Sequence, residues 1–94
     1  MSAEPAQPPS GNGRRSSVQS VDRALEILEV IAGHGGAATL SELAGETGLP
    51  AATAHRLLKT MTAKGFVTQL QNRSYGLGEK LVPLGETAAQ RRRR

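Results

Sequence analysis

Residues 39–65 read TLSELAGETGLPAATAHRLLKTMTAKG, and the order of signals in this stretch indicates the fold. Thr39 and Glu42 have the spacing of a capping box, in which the two side chains bind backbone N–H groups at the start of a helix. A short helix is therefore predicted over about residues 40–47, with Gly48 as the C′ residue that ends it. Pro50 is predicted to open the next helix at its N1 position, where the missing N–H costs nothing.

The next helix is predicted from Pro50 to about Lys64, with Gly65 ending it. Its apolar residues recur at three- and four-residue spacing, which is typical of a helix with one buried stripe. That stripe consists of Ala54, Leu57, Leu58 and Met61. The opposite face carries small and polar residues and no acid, namely Ala51, Ala52, Thr53, His55, Arg56, Lys59 and Thr60.

A first helix is predicted from Val18 to Ala32, with Ser17 or Ser20 as its N-cap and a glycine cluster at residues 33–36 after it. Residues 37–40 are predicted as a short extended stretch. Its apolar stripe is unusually broad, because Ile27, Val30 and Ile31 widen it to more than half of the circumference. The extra arc needs a second partner. Either a neighbouring segment of the same chain or the same helix of a second subunit would supply it, and in the second case these three residues form a dimer interface.

After Gly65 the pattern changes to that of a β-hairpin. Residues 66–70 are rich in β-branched and aromatic residues, residues 71–73 form a turn in which Asn72 suits a positive φ, and residues 74–77 return. Met61, Phe66 and Tyr75 are assigned to the core, with the Tyr75 hydroxyl expected in solvent, where it can reach a phosphate. The predicted fold is mainly α with a small β-hairpin, a winged helix-turn-helix of three helices plus a two-stranded wing. The domain spans residues 18–79, with the helix-turn-helix at about 40–62 and the wing at about 66–77.

Composition limits the function. The chain has 94 residues and no Cys, which excludes disulfides, thiolate zinc sites and thiol nucleophiles. No apolar run approaches the ~20 residues that span a bilayer, and the N-terminus lacks the apolar stretch of a signal peptide, so we expect a cytoplasmic protein. The two histidines match no zinc spacing, and His34 is expected to be simply solvated. No catalytic triad or phosphate loop is found. We expect no enzyme activity, metal or cofactor.

The charges are unevenly distributed along the chain. Residues 18–49 hold one basic and five acidic residues, whereas residues 50–80 hold five basic residues and one acidic residue. A surface formed by the second half favours a polyanion. Residues 1–17 are rich in Pro, Gly and Ser, and we expect a disordered arm. Its Arg14 and Arg15 belong either to a solvated tail or to an arm that touches DNA phosphates.

The element order favours DNA binding, because the short helix and its turn brace the third helix for entry into the major groove. The hairpin tip then brings Arg73 near the DNA backbone or an adjacent minor groove. Arg56 is the strongest candidate for a guanine or phosphate contact, and Ala51 and Ala52 suit thymine methyl groups. Ser41 is either a phosphate contact or a polar residue that starts its helix. The predicted DNA-binding residues are Arg23, Ser41, Ala51, Ala52, Thr53, His55, Arg56, Lys59, Arg73 and Tyr75. The alternative function is a winged-helix module for protein interaction or dimerisation.

Several of these pieces resemble the DNA-binding domain of the IclR-type bacterial transcription regulators. The matching segments are 18–25 (VQSVDRAL), 40–44 (LSELA), 47–50 (TGLP), 53–58 (TAHRLL) and 75–78 (YGLG). The resemblance implies a regulator, expected to be a repressor, that binds a near-palindromic double-stranded operator as a homodimer. It also implies a downstream domain that binds a small-molecule effector, which we expect to be missing from this chain. Residues 80–94 are interpreted as the start of a linker helix with a basic tail.

Overall fold

The computed structural model describes residues 17–92, so all of the predicted arm at residues 1–17 except its last residue lies outside this range. The fold class is confirmed, since the protein is mainly helical with a small antiparallel sheet. The helix interpreted as the start of a linker is present, and a short third strand joins the predicted hairpin. The elements in chain order are α1 (Gln19–Gly33), β1 (Ala38–Thr39), α2 (Leu40–Thr47), α3 (Ala51–Ala63), β2 (Val67–Gln69), a 3₁₀ turn (Gln71–Arg73), β3 (Ser74–Leu77) and α4 (Leu81–Arg92).

Helix α1 begins without the predicted serine cap. Its N-cap is Val18, in an extended conformation and without a side-chain capping bond, so the assignment of Ser17 or Ser20 was wrong. The glycines after the helix act as predicted. Gly35 and Gly36 adopt φ values of 84° and 111°, and the N–H of Gly36 donates to the carbonyl of Ile31. This left-handed backbone, which glycine adopts without strain, turns the chain back towards α2.

The capping box of α2 is confirmed. The hydroxyl oxygen of Thr39 accepts the N–H of Glu42 at 3.1 Å, and the Glu42 carboxylate accepts the N–H of Thr39 at 2.9 Å. Gly48 ends the helix with a φ of 73°, as its position predicts. Pro50 was placed one residue too far into α3, because it is the N-cap with ψ 146° rather than the first helical residue. Its carbonyl still accepts the first α3 bond, from the N–H of Ala54.

The sheet has three strands in the order β1-β3-β2. Strands β2 and β3 form the predicted hairpin, with Gln69 opposite Tyr75, and Asn72 in the turn has the predicted positive φ, 66°. The sequence predicted residues 37–40 as extended but not their partner. Ala38 pairs with Tyr75, so β3 is the central strand. This pairing joins the wing to the start of α2 and limits how far it can swing from the helices.

The core lies between α1, α2, α3 and the sheet. Its largest fully buried side chains are Ile27, Ile31, Leu43, Leu58 and Val67. Ile27 and Ile31 were therefore wrongly assigned to a dimer interface, whereas a dimer contact through Val30 stays a prediction. Ile27 and Ile31 are 0% exposed, and Val30 is half-buried against the same core. The extra apolar arc of α1 packs against its own chain, because three elements surround the helix and cover more of it than one neighbour would.

Two other core assignments need correction. Leu57 and Phe66 are half-buried rather than buried, whereas Met61 and Tyr75 belong to the core. Helix α4 has no buried residue, and it exposes Val82 and Leu84. Because Leu57 is only half-buried, the buried stripe of α3 is narrower than predicted and consists of Ala54, Leu58 and Met61.

Candidate nucleic-acid interface

Helix α3 presents a continuous ridge to solvent, which we call the α3 ridge and define as Ala52, Arg56 and Lys59. At about 100° per residue these three positions lie within about 60° of one another, opposite the buried stripe. All three are exposed. Residues 51–63 contain no acid. The ridge therefore combines two cations with a small residue near the helix N-terminus, where a backbone can approach closely.

The cations of the α3 ridge are free to meet a ligand. Within residues 17–92, the ion pairs are Arg23 with Glu26 and His34 with Glu42 and Glu46. Arg56 and Lys59 thus have no carboxylate partner in this range. An Arg that is unpaired in the free protein can bind a phosphate or a guanine edge without first giving up an internal ion pair.

One flank of the ridge meets the start of α2 and the wing. A depression of about 550 Å³ brings together Ser41, Ala51, Arg73 and Tyr75, which come from α2, α3, the wing turn and β3. Four predicted contacts that are far apart in sequence therefore share one surface. Arg73 has a φ of 61°, so the left-handed turn includes the basic residue at the wing tip as well as Asn72.

A smaller depression of about 300 Å³ continues this flank along α3. It is lined by His55 and Lys59 from the helix and by Gln69 and Tyr75 from the sheet. Tyr75 is only 8% exposed and belongs to the core, which agrees with its predicted core role. Contact between its hydroxyl and a phosphate stays a prediction. Gln69 was not predicted, because its place beside α3 depends on the strand register.

The other flank of the ridge faces α1. A groove of about 520 Å³ joins Arg23 of α1 to Thr53 and Arg56 of α3. Gln19 and Ser20, at the start of α1, line the same groove and were not predicted as contacts. The sequence analysis considered Ser20 only as a cap, since nothing local shows that the first turn of α1 lies beside α3.

Arg23 differs from Arg56 in being paired. One of its terminal nitrogens, Nη1, lies 3.3 Å from both carboxylate oxygens of Glu26, one turn further along α1. The pair is partly exposed, so we assign it little stability. Its main effect is to restrict where the Arg23 side chain points, and Nε and Nη2 make no bond to Glu26.

A separate depression between α1 and α2 is acidic. Glu26 and Glu29 of α1 line a depression together with His34 and with Glu46 of α2. His34 was expected to be simply solvated, and this is wrong, because its Nε2 lies 2.7 Å from a carboxylate oxygen of Glu46. Within residues 17–92, no group of three or more His, Asp or Glu is arranged to hold a metal ion. No helix in the described range is long and apolar enough to cross a membrane.

The fold and the basic ridge define the class of this protein as a winged helix-turn-helix domain. Comparison with known proteins gives the family. Residues 20–71 match the model of the IclR helix-turn-helix domain, so the chain belongs to the IclR family of DNA-binding transcription regulators.

Two curated relatives illustrate the similarity. The transcriptional repressor IclR of Escherichia coli is 53% identical over 53 residues, which cover 56% of this chain and 19% of the repressor. The glycerol operon regulatory protein of Streptomyces coelicolor is 39% identical over 72 residues, 76% of this chain and 28% of that protein. The chain thus matches less than a third of the length of either relative.

Solved structures show the same fold. The IclR transcriptional regulator from Alicyclobacillus acidocaldarius superposes with a TM-score of 0.73 at 37% identity, over 78% of this chain and 30% of that one. Pseudomonas aeruginosa HmgR gives a TM-score of 0.71 at 34% identity, over 78% of this chain and 32% of that one.

Proposed function

We propose that this domain is a sequence-specific repressor whose α3 ridge enters the major groove of double-stranded DNA while the wing follows the backbone. The observation that carries this proposal is the α3 ridge itself, since Arg56 and Lys59 are exposed, unpaired within residues 17–92 and accompanied by no acid on α3. The two flanks then supply backbone contacts, from Arg23 and Thr53 on one side and from Ser41 and Arg73 on the other.

The ridge chemistry also favours DNA over a protein partner. The core of a protein–protein contact is depleted of charged residues and enriched in aromatic and other apolar side chains. The α3 ridge contains one methyl side chain, Ala52, between cationic and hydroxyl-bearing neighbours. Ala51 and Ala52 suit the C5-methyl groups of thymine, which are apolar features of the major-groove edge.

A homodimer is proposed as the DNA-binding form, as the resemblance to the IclR family implies. Burial rules out Ile27 and Ile31 as its contacts, and it leaves a different apolar row on α1. Val18, Val21 and Leu25 recur at three- and four-residue spacing, and each is more than half exposed. We propose this row as the α1 contribution to the dimer. Two copies related by a twofold axis would then read a near-palindromic operator.

Control by a small molecule is proposed to act through a further domain, as the same resemblance implies. The described helix after the wing, α4, is the element to which such a domain would connect. A regulator that acts on chromosomal DNA works in the cytoplasm at the nucleoid, and this remains our proposal for its location.

The test begins with selection of preferred duplexes from a random library and fluorescence anisotropy of the selected site at two salt concentrations. Phosphate contacts make the affinity fall steeply as salt rises. Each guanine of the site is then replaced by 7-deazaguanine and each thymine by uracil, because both changes alter only the major-groove edge. We expect several such replacements to weaken binding.

Arg73→Ala tests the wing in the same assay. A backbone contact predicts weaker binding to every duplex and a salt slope reduced by about 1. Lys64→Ala, which removes a cation from the far end of α3, is the matched control. Binding that responds neither to salt nor to any major-groove replacement would contradict the proposed function and favour a protein-binding module.

A further inference from the structure

His34 bridges helices α1 and α2. It follows the last residue of α1, and its ring lies between two carboxylates of α2. Nε2 is 2.7 Å from an oxygen of Glu46, and Nδ1 is 3.8 Å from an oxygen of Glu42. The two glutamates are four residues apart and therefore share one face of α2.

The chemistry of the ring makes this arrangement depend on protonation. A neutral imidazole has one donor and one acceptor, so it can donate to only one of the two carboxylates. The imidazolium has two donors, one for each carboxylate. Glu42 also accepts the backbone N–H of Thr39, so the same carboxylate links the ring to the capping box.

The surrounding charges favour the imidazolium. Glu42 and Glu46 face the ring from α2, while Glu26 and Glu29 of α1 line the adjoining depression. The hydrogen bond with Glu46 raises the pKa of His34, desolvation opposes the rise, and the charges of Glu46 and Glu42 add to it. The pKa of Glu42 is lowered, mainly by its hydrogen bond with the Thr39 backbone.

We propose that His34, Glu42 and Glu46 form a proton-dependent clasp that holds the end of α1 against α2. A histidine with a raised folded pKa stabilises fully below its unfolded value of about 6.5. This contribution is lost as the pH rises through the folded value. Glu42, with a lowered pKa, contributes in the opposite sense, and its part is lost in acid. The clasp is therefore strongest in mildly acidic solution and weakens above neutrality.

The experiment follows the ring protons of both histidines by NMR in the DNA-free protein, from pH 5 to 9, in the wild type and in Glu46→Gln. We expect the titration midpoint of His34 to lie above about 6.5 in the wild type and to fall in Glu46→Gln. The ring resonances of His55, on α3, are the internal control for an intact fold in both proteins. Melting temperatures at pH 6 and pH 8 complete the set, and the drop between them should be smaller in the variant.

A wild-type His34 midpoint at or below about 6.5 would overturn the clasp, as would a midpoint that Glu46→Gln leaves unchanged. The wild-type measurement decides the matter even if the variant folds poorly. Because no DNA is present, the outcome is independent of the proposed DNA binding. The NMR result can contradict the clasp in a protein that binds its operator, and it can support the clasp in a protein that does not.

Discussion

Arg56→Ala is the substitution that tests the α3 ridge most directly. Arg56 lies near the middle of the ridge, is exposed and has no carboxylate partner in the described range. Its removal should leave the fold intact, because the side chain contributes nothing to the core. Any loss of DNA binding then reports a lost contact rather than unfolding.

The expected size of the loss depends on what Arg56 touches. If it binds a guanine edge in bidentate fashion, about 1–3 kcal/mol of discrimination disappears, which corresponds to roughly 5- to 150-fold weaker binding to the selected site. Binding to random duplex should then change little. If it binds a phosphate, both duplexes should weaken alike, and the salt slope should fall by about 1.

Anisotropy titrations of the selected and random duplexes at four salt concentrations separate these cases. Arg56→Lys keeps the charge but lacks the planar fork, so it should rescue a phosphate contact and not a bidentate base contact. Lys64→Ala again controls for net charge. An Arg56→Ala protein that binds both duplexes within twofold of the wild type would refute the assignment of the α3 ridge as the DNA-facing surface.

Three further substitutions test the fold and the dimer. Ile27→Ala removes a fully buried side chain and should cost about 2–5 kcal/mol, which lowers the melting temperature by roughly 8 °C or more; a smaller drop would mean that Ile27 is not core. Leu25→Ala, on the exposed row of α1, should instead weaken self-association about tenfold or more in analytical ultracentrifugation, and an unchanged dissociation constant would remove this row from the interface. Gly78→Ala should destabilise strongly in urea melts, because an added Cβ collides with the backbone of Gly65, and wild-type stability would contradict that close approach.

Much of the local structure could be predicted from the sequence. The capping box at Thr39 and Glu42, the left-handed Gly48 and the positive φ of Asn72 all depend on contacts within a few residues. Short-range hydrogen bonds and steric limits act in the same way whatever packs around them. The errors of one residue, such as Pro50 as N-cap, fall at helix ends, where several positions satisfy the same local rules.

The arrangement of the candidate site could be predicted only in part. The exposed face of α3 follows from helical periodicity, and Arg56 and Lys59 were named from it. The sequence does not show which residues of the other elements line each flank of the α3 ridge. Their positions depend on the angles at which α1 and the sheet pack on α3. Gln69 and Ser20 were missed for this reason, as they reach the site through β-strand register and helix packing.

The sequence by itself determined where the helices lie to within about one residue at each end, that a basic helix face is exposed and that α1 needs more than one partner. Only the tertiary structure decided which elements cover the apolar arc of α1. The broad apolar arc of α1 shows that Ile27 and Ile31 must be covered, and it is equally consistent with a second subunit or with the same chain. Likewise the sequence contains His34 and Glu46 twelve positions apart, and only the packing of α1 on α2 brings them within 2.7 Å. Local interactions depend on neighbours along the chain, whereas burial and long-range pairing depend on how whole elements are placed.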